Sequence, residues 1–275
     1  MVESQGRFVW YELMTWDMET AKTFYASVLG LGTRDAATPG LTYGLFTAGN
    51  APVAGLMKLP DDAGRMGMTP HWIGYVGVDD VDVAANRATQ LGGAVHVPPT
   101  EVPGISRFSV IADPQMATLA LVKGFRPTKA RPADANIPGH VGWHELLAAD
   151  WEKAFPFYSE LFGWQKADSH VGAMGTYQQF SAGGQPIGGM FTKPPMLPFA
   201  FWLYYFNIVD IEGAAQRVDA GGGEILYGPI SVPGGARIVH CTDPQGAIFA
   251  LLDRRSPRAV VYYVPPYRSG EGDGR

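Results

Sequence analysis

Two glutamates raise the question of chemistry. Glu12 stands in Trp10-Tyr11-Glu12-Leu13 and Glu145 in Trp143-His144-Glu145-Leu146. Each run alternates and reads as a β-strand, Phe8 to Met14 in the first case, so side chains two apart share a face. Trp10, Glu12 and Met14 line one face, as do Trp143 and Glu145. A carboxylate in apolar company must find a cation or keep its proton to higher pH, and the second option suits a general acid or base. Arg107 and Arg237, which follow Val-Pro-Gly turns, are the repeated cations available to pair with them. The competing reading is a carboxylate that merely steadies its strand through backbone amides or those arginines. Tyr43, Tyr177, His71, Trp72 and Trp202 could line the same space, against the plainer alternative of core packing. His140 and His144 lie four apart, a metal-pair spacing on a helix, but four strand residues span about 13 Å. His144 has the opposite parity to Glu145 and reads as a half-buried ring bonded to backbone.

Composition narrows the setting. The chain of 275 residues has a formal net charge of −5 and is 46% hydrophobic, enough for packed cores. No Lys/Arg run forms a basic stripe, which argues against nucleic acid as a partner. Cys241 is the single cysteine, so no intrachain disulfide framework exists and a reducing, cytoplasmic setting is expected. Met1 to Arg7 lacks the apolar segment of a signal peptide. Phe199 to Val209 is too short to span a bilayer, which takes about 20 residues. No membrane role is expected. Gly221-Gly222-Gly223 reads as a helix terminus rather than a phosphate loop. Neither a Ser-His-Asp order, a Walker loop nor Cys-x-x-Cys is present.

The elements that must position these residues occur twice. Trp10, Glu12, Leu13, Asp17, Ala21, Phe24-Tyr25 and Gly30 recur at an offset of 133 as Trp143, Glu145, Leu146, Asp150, Ala154, Phe157-Tyr158 and Gly163 (143 − 10 = 133). Val102-Pro103-Gly104, Arg107 and Asp113-Pro114-Gln115 recur at 130 as Val232-Pro233-Gly234, Arg237 and Asp243-Pro244-Gln245 (232 − 102 = 130). The first copy therefore carries three extra residues, placed in the polar stretch Pro60 to Gly64. Two tandem domains follow, 7–123 and 139–253, with a linker at 124–138. A tail covers 254–275, and its apolar middle, Ala259 to Val264, is expected to dock.

Within one copy Asp17 is a helix N-cap, and Ala21, Phe24, Tyr25, Val28 and Leu29 form one helical face ended by Gly30 or Gly32. Pro156 interrupts the corresponding helix of the second copy. Strands are read at Tyr43–Ala48, Val53–Leu59, Ile73–Val78, Ala94–Val97 and Arg107–Val122, the last broken at Asp113-Pro114. A second helix runs from Val81 to Leu91.

This order resembles the vicinal-oxygen-chelate superfamily of glyoxalases, bleomycin-resistance proteins and dioxygenases. The opening strand, the Asp17-capped helix, Val78-Asp79-Asp80-Val81-Asp82 and the Asp-Pro-Gln turns carry the likeness, and Trp-x-Glu-Leu is similar to a tandem-domain, glyoxalase-like subgroup. The resemblance implies an α+β fold in which each domain pairs two βαβββ modules into a partly open barrel around a cavity. It also implies that the face of Trp10 and Glu12 looks into that cavity, together with Tyr75 and Tyr205. Relatives that use a metal take ligands at positions that here hold Trp10 and Trp143, Ile73 and Leu203, Ala120 and Ala250. None can chelate, so no metal and no cofactor is expected.

Three functions compete at this stage. The leading one is metal-independent binding of a small organic molecule, by a monomer or homodimer, with Glu12 and Glu145 as the reactive carboxylates. Trp10, Trp143, Tyr43, Tyr177, His71, Tyr75, Tyr205, Arg107 and Arg237 would contact the ligand. The alternative is a lyase, isomerase or dioxygenase acting on a small carbonyl or aromatic substrate, with a metal at unorthodox positions or a glutamate base. The third is an interaction scaffold with filled cores.

Overall fold

The structure, a computed structural model, describes residues 4–38, 41–124, 137–172 and 175–254. Most of the expected linker, and the tail segment Ala259 to Val264, lie outside the described residues. The first half runs β1 (Phe8–Thr15), α1 (Met18–Leu29), β2 (Gly32–Thr38), β3 (Leu41–Ala48), β4 (Ala51–Lys58), β5 (His71–Gly77), α2 (Val81–Gln90), β6 (Ala94–Val102), β7 (Ser106–Ala112) and β8 (Thr118–Lys123). The second half repeats it as β9 (Val141–Ala148), α3 (Trp151–Phe162), β10 (Gln165–Gly172), β11 (Gly175–Ala182), β12 (Gln185–Thr192), β13 (Phe201–Asn207), α4 (Ile211–Ala220), β14 (Glu224–Ser231), β15 (Arg237–Thr242) and β16 (Ile248–Asp253).

Each half forms one open eight-stranded sheet. The order is β2-β3-β4-β1-β5-β8-β7-β6, and β10-β11-β12-β9-β13-β16-β15-β14 in the second. A βαβββ module occupies each side of a sheet, and the modules join where β1 runs antiparallel to β5, or β9 to β13. The fold is the α+β, glyoxalase-like arrangement expected from the sequence.

Local physics explains the helices. Asp17 accepts from the backbone N–H groups of Glu19 and Thr20, and Gly30 ends α1 in the left-handed conformation at φ 69°. Ala21, Phe24, Tyr25, Val28 and Leu29 are the buried face, as the period requires. Helix α3 runs on through Pro156. The bond that Pro156 cannot make would go to the Glu152 carbonyl, and both residues are exposed, where solvent can satisfy the group.

Two strands, β2 and β10, were not legible in the sequence. Both are sheet edges, and β10 has no buried residue among Gln165–Gly172, so no apolar alternation marks it. The repeat register also needs refinement. Strands β3 and β4 align with β11 and β12 at an offset of 134 (175 − 41, 185 − 51). The first copy therefore has four extra residues before β5, and the second copy one extra residue around β10. A short 3-10 turn, Ala63–Met66, lies in the longer connection.

The halves pack about a pseudo-twofold axis. Trp72 Nε1 donates to Tyr25 Oη (2.9 Å), which donates to Asp243 of the other half (3.2 Å). Trp202, Tyr158 and Asp113 repeat this chain at 3.1 and 2.9 Å. Gln245 brackets Asp17, accepting from its N–H (2.7 Å) and donating to its carbonyl (2.8 Å), and Gln115 brackets Asp150 in the same way. The Asp-Pro-Gln turns are thus clasps between halves, while helices and outer sheet faces share one apolar core.

Candidate functional site

The opposite, concave face of each sheet carries the carboxylates. Glu12 on β1 is only 6% exposed and is held by two phenols. Tyr43 Oη on β3 donates to Oε2 at 2.8 Å, and Tyr75 Oη on β5 donates to Oε1 at 3.1 Å. Trp10 Nε1 donates to Tyr43 Oη at 3.2 Å and fixes that ring. Sheet register brings these residues together, since Glu12 lies opposite Ile73 on one side and Gly55 on the other. Gly55 is required here: a Cβ at this position would sit 2.0 Å from Tyr43 Oη.

The second half rebuilds the arrangement and adds to it. Glu145 is also 6% exposed, accepts from Tyr205 Oη at 2.6 Å, and is hydrogen bonded by Tyr177. Trp143 Nε1 donates to Tyr177 Oη at 2.7 Å, and Gly189 leaves the room that this phenol occupies. His240 on β15 lies 2.7 Å from Tyr205 Oη. Tyr205 gives its single proton to the carboxylate, so Nε2–H of a neutral His240 is the donor in that contact.

Electrostatics follow from burial. Desolvation raises Glu12 above the usual carboxylate range and pushes Glu145 up to about 7, the phenols offsetting only part of it. Burial lowers His240 to about 4, so its ring is neutral at physiological pH. Burial, followed by the adjacent carboxylates, raises Tyr43, Tyr75 and Tyr177, which stay protonated donors. Glu145 is thus poised to exchange a proton near neutrality.

The expected site residues fall into three groups. Trp10, Glu12, Tyr43 and Tyr75 converge, as do Trp143, Glu145, Tyr177 and Tyr205. His71 has the parity of Ile73 and Tyr75 but turns its Nδ1 to the Thr69 carbonyl at 2.7 Å, so it stands apart from Glu12. Arg107 and Arg237 do not pair with the glutamates. Arg107 bonds Asp82 on α2 at 2.7 and 2.8 Å, and Arg237 bonds Glu212 on α4. Strand parity turns both guanidiniums to the helix side, where exposed acids meet them. Trp72 and Trp202 likewise belong to the core between halves. His144 bonds the Ile187 carbonyl through Nδ1 (2.6 Å), as its parity suggested, and Tyr11 of the other half through Nε2 (2.5 Å).

His240, Gly55, Gly189 and Arg254 were missed. Val110 occupies the place of His240 in the first half, because each pairs with the alanine that follows the tyrosine strand, Ala120 or Ala250. A search for repeated residues passes over such a position. Only strand parity, placing Ile238 and His240 on one face, could have found it.

The positions that hold a metal in some relatives do not fit one here. Those positions hold Trp10 and Trp143, Ile73 and Leu203, and Ala120 and Ala250. They offer indoles, aliphatic side chains and methyl groups; an indole N–H only donates, whereas a divalent ion needs several N, O or S donors. Among the described residues no group of three His, Cys, Asp or Glu could hold an ion. Two surface grooves of about 500 and 480 Å³ lie elsewhere, at the start of α1 and between α1 and α4. No helix among the described residues is long and apolar enough to cross a membrane.

Comparison with known proteins agrees with this architecture. The chain belongs to the Glyoxalase/Bleomycin resistance protein/Dioxygenase superfamily, matching it over residues 7–121 and again over 138–251. It is 33% identical over 251 residues to the putative glyoxylase CFP32 of Mycobacterium tuberculosis, covering 90% of this chain and 95% of that protein. It is 27% identical over 266 residues to the anthracycline biosynthesis protein DauV of Streptomyces sp., covering 91% and 94%. Among solved structures it is similar to the Mn(II)-bound glyoxalase of Novosphingobium aromaticivorans (TM-score 0.60, 17% identity, 91% of this chain and 82% of that one). A homoprotocatechuate 2,3-dioxygenase variant from B. fuscum gives a TM-score of 0.62 at 16% identity, over 90% of this chain and 70% of that one. At these identities the structural likeness speaks for the fold.

Proposed function

We propose that the chain binds ring-bearing organic molecules on the concave sheet faces, without using the metal positions of its relatives. The observation that carries this reading is the carboxylate held by two phenols, built twice from residues on separate strands, beside an indole. Such a group accepts a hydrogen bond from a ligand hydroxyl while aromatic side chains cover the ligand's apolar body. In the first half Met14, Met57 and Phe108 are half-buried around it and offer an adaptable surface. The relative named for anthracycline biosynthesis supports a polycyclic, hydroxylated ligand.

A second reading rests on one observation, the rise of Glu145 to about 7. A carboxylate of that proton affinity can act as general base on a carbon acid next to a carbonyl, the step of a lyase or isomerase. The test for both is titration with 1,8-dihydroxyanthraquinone, read by tryptophan fluorescence. Saturable binding, weakened about tenfold in a Glu12→Gln, Glu145→Gln double variant, is expected. Absence of saturable binding by this compound and simpler hydroxyquinones would overturn the proposal.

A further inference from the structure

We propose that the second concave face is a site for an aromatic hydroxy acid, with Arg254 reading the carboxylate and the Glu145–Tyr205–His240 cluster reading the hydroxyl. This rests on the binding function proposed above and adds to it the ligand's charge and its choice between the two halves.

The argument starts from Arg254. Its guanidinium lies 5.8 Å above the Trp143 ring, and one of its N–H groups donates to the Gly142 carbonyl at 3.0 Å. The residue is exposed, and among the described residues no carboxylate forms an ion pair with it. An arginine held over an indole keeps most of its planar fork of donors for a partner, and a carboxylate accepts two of them side by side. Desolvation by its neighbours lowers the proton affinity of Arg254, a shift that an anionic ligand would oppose.

Distance then sets the ligand's size. Trp143, under the guanidinium, and Glu145 are two residues apart on one face of β9, a separation of about 7 Å. One aromatic ring substituted at opposite ends bridges that span. Its edges would meet Trp143 and Tyr177, and its hydroxyl would reach the carboxylate end, where Glu145, Tyr205 and His240 provide both acceptors and donors.

The first half cannot read the same molecule. Lys123 and Asp253 occupy equivalent places, each paired with the repeated arginine, so the residue after them, Arg254 in one half, is Gly124 in the other. Val110 replaces His240. The first face therefore keeps the carboxylate–phenol group but lacks both the cation and the imidazole, and it suits neutral ligands.

Calorimetry with 4-hydroxybenzoate and its neutral analogue 4-hydroxybenzamide tests this on the full chain. The expected result is one acid bound per chain, about tenfold tighter than the amide. Arg254→Gln should erase that preference by weakening the acid alone, Arg254→Lys should retain a preference, and Arg107→Gln, whose guanidinium faces α2, should leave the acid's affinity unchanged. Near-ultraviolet circular dichroism reports whether each variant is folded, and the lysine variant decides the matter if the glutamine variant is not. Equal binding of acid and amide, a parallel loss of both in Arg254→Gln, or loss of the acid in Arg107→Gln would each overturn the inference. If neither benzoate analogue binds while the anthraquinone does, this inference fails and the general binding function stands; if none of the three binds, both fail.

Discussion

The two concave faces share a carboxylate, two phenols and an indole, and differ in what surrounds them. Around Glu12, Tyr43 and Tyr75 are half-buried and the neighbouring strand contributes Val110. Around Glu145, Tyr205 is 2% exposed, His240 joins the cluster, and Leu147, Phe191, Leu203 and Leu252 close the floor. The second carboxylate is the more deeply tied into a network and is the one whose proton affinity reaches neutrality. Duplication supplied the common part, and divergence at positions that flank it gave one face an imidazole and a guanidinium and left the other simpler.

The axis between the halves shows the same process under tighter constraint. Tyr11 bonds His144, its own counterpart, and the Gly74 N–H donates to Tyr204, again its counterpart, at 2.7 Å. Two residues that meet their own copies across the axis must share one space and one hydrogen bond. Divergence to Tyr with His, and Gly with Tyr, resolves the conflict and makes the order of the halves fixed.

The largest expected effect breaks that asymmetry. Gly74→Ala places a Cβ 2.7 Å from the Tyr204 ring and 2.9 Å from Phe8, and denaturant unfolding should show a loss of roughly 4 kcal/mol from overpacking plus a strained hydrogen bond. Next, Asp113→Ala removes the buried acceptor of Tyr158 and of the Gln115 and Ala117 N–H groups. A loss of about 3 kcal/mol is expected, and Asp243→Ala should match it if the two clasps are equivalent.

The third prediction separates the carboxylates by pH. Glu145 titrates at about 7 in the fold and near 4.3 when unfolded. Between those values the folded state holds a proton that the unfolded chain has released, so this group's contribution to stability falls as pH rises and then levels off above 7. The change amounts to about 4 kcal/mol. His144 and His240, lowered to about 4, act in the opposite sense: their contribution is full above about 6.5 and is lost as pH falls through 4. Urea midpoints of Glu145→Gln should therefore fall less between pH 5 and 8 than those of the parent, the His144, His240 and Glu12 contributions being common to both.

The smallest effect sharpens the map of the site. Arg107→Gln and Arg237→Gln should leave anthraquinone binding unchanged, because their guanidiniums face α2 and α4. A tenfold loss in either would return them to the concave face.

Much of this protein was legible in its residues. Repeated motifs with fixed offsets gave the duplication, Asp caps and a 3.6-residue period gave α1 and α3, and alternation put Glu12 with Trp10 and Glu145 with Trp143. Those signals are local, since a helix face or a strand face is a property of successive side chains. The edge strands β2 and β10 escaped because an exposed strand has no apolar alternation to reveal it. The partners of the glutamates escaped for a different reason: sign of charge suggested arginine, while register across β3, β1 and β5 delivered tyrosine. Which strand lies beside which, and which counterpart meets itself across an axis, depends on contacts between residues 30 to 230 apart in sequence. Sequence by itself determined the elements, their faces and the family; only the tertiary structure decided that two carboxylates are satisfied by phenols rather than cations, because desolvation and partner choice are set by packing between elements and not within them.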